Sequence, residues 1–381
     1  MTIVDRIVEE YDDNGPLGVE AEELEGGEEI RKPWDPEKIR VDTRQFSLRN
    51  ILDHIDEGGI ELAPDFQRNQ VWKTPQKSRL IESILLQIPL PAFYFAEDIT
   101  GMYRVVDGLQ RLSTVHEFVR GNQFALKDLE YLKGTEGKRH EDLALAWKRR
   151  ISNAQIVVHV IAPTTPDDVK YNIFKRINTG GAPLNTQEIR HCMSKDRSRS
   201  FLKTCAESKE FQQATPESLH RHARMFDREA VLRFCAFRRI GGWQGYREHG
   251  SMESLLARTT AALDDPALVS DQELEKLAQD FQNAMRNSLL VFEERAFRKW
   301  PQDNDRLSLF NRALFESWSV ALADQDPEWL ESVRQTIVTL ARQAMTDDAD
   351  YINAISYATG DLNRVRIRFE KALKILAEAR E

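Results

Sequence analysis

The sequence predicts an α+β protein: a small mixed sheet with helices, followed by an all-helical domain. Three observations lead there. Residues 41–194 alternate β-rich runs with amphipathic helical segments, strand signals largely vanish after about residue 195, and 381 residues suit two domains. A composition of 41% hydrophobic and 30% charged residues is that of a soluble globular chain. No uncharged apolar run approaches the ~18 residues of a membrane span. Residues 1–10 already carry Asp5, Arg6, Glu9 and Glu10, which is no signal-peptide pattern. Cys192, Cys205 and Cys235, without metal-type spacing, fit a reducing cytoplasm.

The elements follow in order. Residues 1–40 hold 13 acidic and 5 basic side chains, so most of the net charge of −9 belongs to them and the remaining chain is nearly neutral. Rich in Glu and Gly with few large apolar residues, this stretch is expected to be a solvated leader, mobile or peripherally attached. A DNA-mimicking tail is the other reading. Residues 41–46 read as a strand and 48–55 as a helix stopped by Gly58 and Gly59. Thr74-Pro75 is a cap and first-turn pair for a helix bearing Leu80, Ile81, Ile84, Leu85 and Ile88. Pro89 and Pro91 end it, and 92–96 reads as a buried strand. Residues 103–106 form another strand, and Leu112, Val115, Phe118 and Val119 line one face of the helix after it. A helix over 144–154, a strong strand over 155–161, and a helix opened by Thr165-Pro166-Asp167-Asp168 complete the alternation. Asn185 and Glu188 have capping-box spacing for the next helix. Beyond 195, helices are predicted at 226–240, 272–300, 306–323, 327–346 and 361–379, the last with Leu362, Val365, Phe369, Leu373 and Leu376 in a stripe.

Residues 107–111 (DGLQR) lie where a strand ends and a helix begins. Backbone N–H groups at a helix start and the helix dipole favour an anion. Gly108 would let a ligand approach the backbone, Arg111 offers a planar fork of donors, and Asp107 adds a carboxylate. The same residues could equally be an ordinary turn. Gln67 and Arg68, in PDFQR ahead of Val71-Trp72, are either a packed turn with a surface ion pair or part of a site. Arg176, Asn178 and Gly180, in FKRINTGG, are either a helix C-cap or a set projecting into a pocket. Glu188 reads as a cap before it reads as a catalytic base.

Taken in order, PDFQR, LIESILLQIPLP, VDGLQRL and FKRINTGGAPLN resemble the N-terminal domain of GmrSD-type modification-dependent restriction endonucleases, a branch of the ParB/sulfiredoxin-like fold. The resemblance covers roughly residues 40–195. It implies a domain, 41–194, that binds and hydrolyses nucleoside triphosphates through an Asp-Gly-x-Gln-Arg box, here Asp107, Gly108, Gln110 and Arg111. The family often has Gln where this chain has Leu109, which is expected to face the core or a base. Under this reading Asp107, Gln110 and Arg111 are catalytic, with Asp107 binding Mg²⁺ or orienting water and Gln110 positioning that water. Gly108, Gln67, Arg68, Arg176, Asn178 and Gly180 bind the nucleotide. Two-part family members add a His-Asn-His nuclease. Residues 195–381 offer only His220, His222 and His249, without the strand pair or Asn/His spacing that chemistry needs. A regulatory or sensor role in DNA restriction or anti-phage defence, switching a separate effector, is therefore expected. The alternatives are a DNA-binding or scaffold protein whose box contacts DNA phosphates, and weak nuclease activity of the fold itself.

Arginines remain to be placed. Arg221, Arg224, Arg228, Arg233, Arg238 and Arg239 form one series, and Arg364, Arg366 and Arg368 interrupt the C-terminal stripe. They could neutralise phosphates, but a solvated face paired with Asp and Glu is the favoured expectation. Phe292, Phe297, Trp300, Phe310, Phe315 and Trp318 sit mostly at core spacing.

Overall fold

The computed structural model describes residues 7–12, 15–21, 40–62, 72–177, 185–220 and 225–381. The chain divides into two units, Trp34–Met193 and a second made of Met1–Pro33 with Ser194–Glu381.

The first unit is built on a five-stranded mixed sheet. Its strands are β3 (Val41–Ser47), β4 (Ile60–Glu61), β5 (Phe93–Glu97), β6 (Tyr103–Asp107) and β7 (Gln155–Ile161), in the order β3-β7-β5-β6-β4. β3 and β7 are antiparallel, β7 and β5 parallel, β5 and β6 antiparallel, and β6 and β4 parallel. Period-2 alternation sorts the side chains. Ile156, Val158 and Val160 of β7, with Phe93 and Phe95 of β5, enter the main core. That core is closed by α1 (Leu48–Asp56), α2 (Thr74–Leu85), α3 (Leu109–Val119) and α4 (Leu145–Asn153). Tyr94, Ala96, Val106 and Ile161 face the other side. There they meet Phe174 of α5 (Asp167–Ile177) and Ile189 of α6 (Thr186–Met193).

Local chemistry sets the helix ends. Ser47 Oγ caps α1 at Asn50 N, 3.2 Å away. The N-cap of α2 is Lys73, one residue ahead of the expected Thr74, because the Lys73 N–H donates to Gln76 Oε1 at 2.9 Å. Asn185 and Glu188 do form the reciprocal cap, at 2.6 and 2.8 Å, and Glu188 is buried as a structural group. Buried Glu82 accepts three consecutive backbone donors, Glu130 N, Tyr131 N and Leu132 N, at 2.8–2.9 Å. Burial raises its pKa, but those donors and Lys133 hold the carboxyl below its usual range.

The second unit is helical over 194–381: α7 (Asp196–Ala206), α8 (Lys209–Ala214), α9 (Phe226–Arg239), α10 (Trp243–Tyr246), α11 (Met252–Leu263), α12 (Asp271–Phe292), α13 (Arg312–Leu322), α14 (Pro327–Asp347), α15 (Ala349–Ala354) and α16 (Leu362–Glu378). The expected solvated leader is corrected over residues 7–21. There β1 (Glu9–Asp12) and β2 (Gly15–Glu20) form an antiparallel hairpin docked on this unit. Val19 is fully buried in the helical core, Glu20 N donates to Phe310 O at 2.9 Å, and Phe310 N to Gly18 O at 3.3 Å. Composition misled here because Glu10 and Glu20 of the hairpin are paired rather than solvated. The same docking shortens two predicted helices. The segment between α12 and α13 turns at Glu293 and Phe297, both with positive φ, so that Phe310 bridges both Val19 and Arg298.

The expectation of solvated arginines is corrected at Arg233 and Arg368. Glu229, Arg233, Glu316 and Arg368 form a buried chain: Arg233 Nε donates to Glu229 Oε1 at 2.9 Å, Arg233 Nη1 to Glu316 Oε1 at 2.5 Å, and Arg368 Nη2 to Glu316 Oε2. Arg312 extends it to the hairpin through a two-pronged bond to Glu10, at 2.8 and 3.1 Å. Beside it, Lys299 pairs with Glu20, whose second oxygen accepts from Asn311 Nδ2 at 2.8 Å. Each buried charge has an opposite partner, as low dielectric demands.

Candidate functional site

The junction of β6 and α3 is built by a bulge. Tyr94 lies opposite Asp107 while Phe95 lies opposite Val105, so β6 carries one extra residue, Val106. Bulges re-aim side chains and terminate pairing, and this one delivers Asp107 at the last position of the strand. Gly108 follows with φ 97°, in the left-handed region, and serves as N-cap of α3 without any side-chain capping bond. The first N–H groups of α3 therefore keep the donor capacity that the sequence predicts.

Glycine is required at 108 for a second reason. A β-carbon there would come within 2.2 Å of Phe93 Cδ1. The space over Gly108 is thus filled by an aromatic ring, so a ligand would reach its backbone N–H rather than its Cα face. Leu109 is buried in the main core.

Arg111 is the most constrained member of the box. It donates to Asp107 Oδ2 at 2.9 Å, to Ala92 O at 3.1 Å and to Pro91 O, and its guanidinium lies 4.2 Å from the centroid of the Phe93 ring. Burial pulls its pKa down and the Asp107 charge opposes that pull, so the group stays a cation at neutral pH. It ties α3 to the chain entering β5. Asp107 keeps a third of its side chain in solvent, against 12% for Arg111. Gln110 is half-buried, its side chain forming no hydrogen bond with the described residues.

Asp107, Gly108, Gln110 and Arg111 are thus brought together. Arg176 is exposed near the end of α5. Gln67, Arg68, Asn178 and Gly180 lie outside the described residues. Among the described residues no group of three or more His, Cys, Asp or Glu could hold a metal ion, so Asp107 stands as a single carboxylate. His220 contacts Thr215 Oγ1 at 3.1 Å, and burial lowers its pKa; His222 is outside the described residues. No described helix is long and apolar enough to cross a membrane.

Sequence reasoning missed Phe93 and the carbonyls of Pro91 and Ala92, which hold Arg111. Alternation in AFYFA places Phe93 on the core face, but its approach to Gly108 follows from the bulge, which no pattern announces.

Among curated proteins none matches the chain. A family model does match residues 48–194, spanning α1 to the end of α6 and containing the whole β6–α3 junction. That model is the GmrSD restriction endonuclease N-terminal domain, so residues 48–194, under half of the chain, are similar to that domain.

Proposed function

We propose that this domain binds a nucleoside triphosphate at residues 107–111 and hydrolyses it to regulate a DNA restriction or anti-phage system. The observation that carries the reading is the β6–α3 junction: a bulge-delivered carboxylate, a left-handed glycine, a helix start without a side-chain cap and a clamped arginine meet at one point. A triphosphate would take the N–H groups of Gly108, Leu109 and Gln110 at the start of α3. Arg111, fixed beforehand by Pro91, Ala92 and Phe93, needs little ordering to act on developing charge, which is the condition for electrostatic catalysis. Gln110 positions the attacking water. Gln67, Arg68, Arg176, Asn178 and Gly180 complete the proposed nucleotide contacts.

A single carboxylate suits a magnesium ion carried on the nucleotide's phosphates, because such ions keep several waters and take one or two carboxylates from a protein. Asp107 would hold it, and its chemistry there would be neutralisation of phosphate charge. The restriction-system family supplies the DNA context, with duplex DNA and a separate nuclease or other effector as the proposed partners.

The test is phosphate release from ATP, GTP, CTP and UTP by the full chain, with and without duplex DNA. Asp107→Ala and Arg111→Ala should each abolish release while the chain still melts cooperatively. Unchanged turnover in both variants rejects the proposal. Salt-sensitive DNA binding with no effect of nucleotide would replace it with a box that grips DNA phosphates.

A further inference from the structure

The bulge that aims Asp107 also places it at the end of a row crossing four strands. Thr43 of β3 is the cross-strand partner of His159 on β7, His159 of Tyr94 on β5, and Tyr94 of Asp107 on β6. Cross-strand partners share a sheet face, so Thr43, His159 and Tyr94 line one track on the face opposite the main core, and the track ends at the bulge where Asp107 leaves β6 and turns its carboxylate to Arg111. Contacts join the first three: Thr43 Oγ1 and His159 Nδ1 are 2.9 Å apart, and the His159 and Tyr94 rings are 4.8 Å apart between centroids, tilted by 37°. Tyr94 and His159 are half-buried and Thr43 is exposed, so the row opens toward the free edge of β3.

Three strand spacings cover about 14 Å from Asp107 to Thr43, the scale of an extended nucleotide. A row that begins at a phosphate-type junction and continues as two touching rings has the chemistry of a phosphate end and a base end. We infer that Tyr94 and His159 form the base-contacting floor of the nucleotide site, with the Thr43 hydroxyl fixing the His159 ring. The inference rests on the nucleotide reading of residues 107–111 and adds to it the moiety recognised and the residues that recognise it. Tyr94 supplies a π-face to any base, and His159 adds a hydrogen-bonding edge through Nε2, the ring nitrogen left over from Thr43.

The test separates the two ends of the ligand. Binding of ATP, GTP, CTP, UTP and inorganic tripolyphosphate is measured by calorimetry on the full chain and on Tyr94→Ala, Tyr94→Phe and His159→Ala. Tyr94→Ala and His159→Ala should each weaken the preferred nucleotide about tenfold or more. Both should leave tripolyphosphate unchanged, and Tyr94→Phe should retain affinity. Nucleotide affinity within twofold of the parent in both alanine variants overturns the inference alone, as does an equal loss for tripolyphosphate. A parent chain that binds none of the four nucleotides overturns the nucleotide reading as well. If Tyr94→Ala fails to fold, His159→Ala decides.

Discussion

Two buried arginines in this chain, Arg111 and Arg368, are both paired with carboxylates, yet they do opposite work. Arg368 is wholly enclosed, and its partner Glu316 is equally enclosed and shared with Arg233. Arg111 is nearly as enclosed, but its partner Asp107 stands at a strand end with a third of its side chain in water. A sealed, charge-balanced network cannot exchange a partner without leaving an uncompensated charge in low dielectric. A pair whose carboxylate faces solvent can. What separates a structural ion pair from a candidate site is the exposure of the carboxylate, and the arginine alone does not reveal it.

The sharpest way to break that contrast is Glu316→Ala, which takes the buried carboxylate from Arg368 and leaves Arg233 with Glu229 alone. Denaturant unfolding should show a loss of about 3–5 kcal/mol. Replacing Glu229, Arg233, Glu316 and Arg368 together by apolar residues of similar size should restore much of that stability, since a buried network is worth little over a packed core. A mild effect of Glu316→Ala would mean the network is hydrated. At the junction, Gly108→Ala must strain a left-handed backbone and push against Phe93. It should cost at least about 2 kcal/mol by the same measurement; a neutral outcome would refute the close packing that keeps a ligand off the Cα face.

The remaining effect concerns Asp227, in the first turn of α9, and shows as a pH dependence. Burial lifts its carboxyl from 3.8 to about 6, against the lowering pull of the Arg228 N–H and charge. Because the folded state holds this proton more tightly than the unfolded one, the residue costs stability as pH rises between about 4 and 6 and adds no further change above that. Asp227→Asn should therefore stabilise the chain at pH 7 relative to pH 4. Parallel pH–stability curves for parent and variant would refute it.

Much of the sheet domain was legible before folding. The hydrophobic run 155–161 is β7 to the residue, and the Asn185–Glu188 spacing predicts its reciprocal cap, because strand alternation and capping are local. The family likeness of residues 48–194 was legible from ordered motifs. Tyr94 and His159 were visible only as members of two strands; their meeting depends on a parallel pairing between segments some sixty residues apart. The hairpin over residues 7–21 was read as a solvated leader because composition counts charges without knowing their partners. Glu10 finds Arg312 and Glu20 finds Lys299, 302 and 279 residues away.

By itself the sequence determined the fold class, the helix and strand periods, the family likeness of residues 48–194 and the position of the box where a strand meets a helix. These are properties of neighbouring residues, carried by period, propensity and capping chemistry. Only the tertiary structure decided which charges are enclosed and which face water. It decided that Phe93 fills the space over Gly108, that a bulge sets Asp107 across from Tyr94 at the end of β6, and that the N-terminal hairpin belongs to the helical unit. Burial and cross-strand register depend on segments distant in the chain, so no local pattern encodes them.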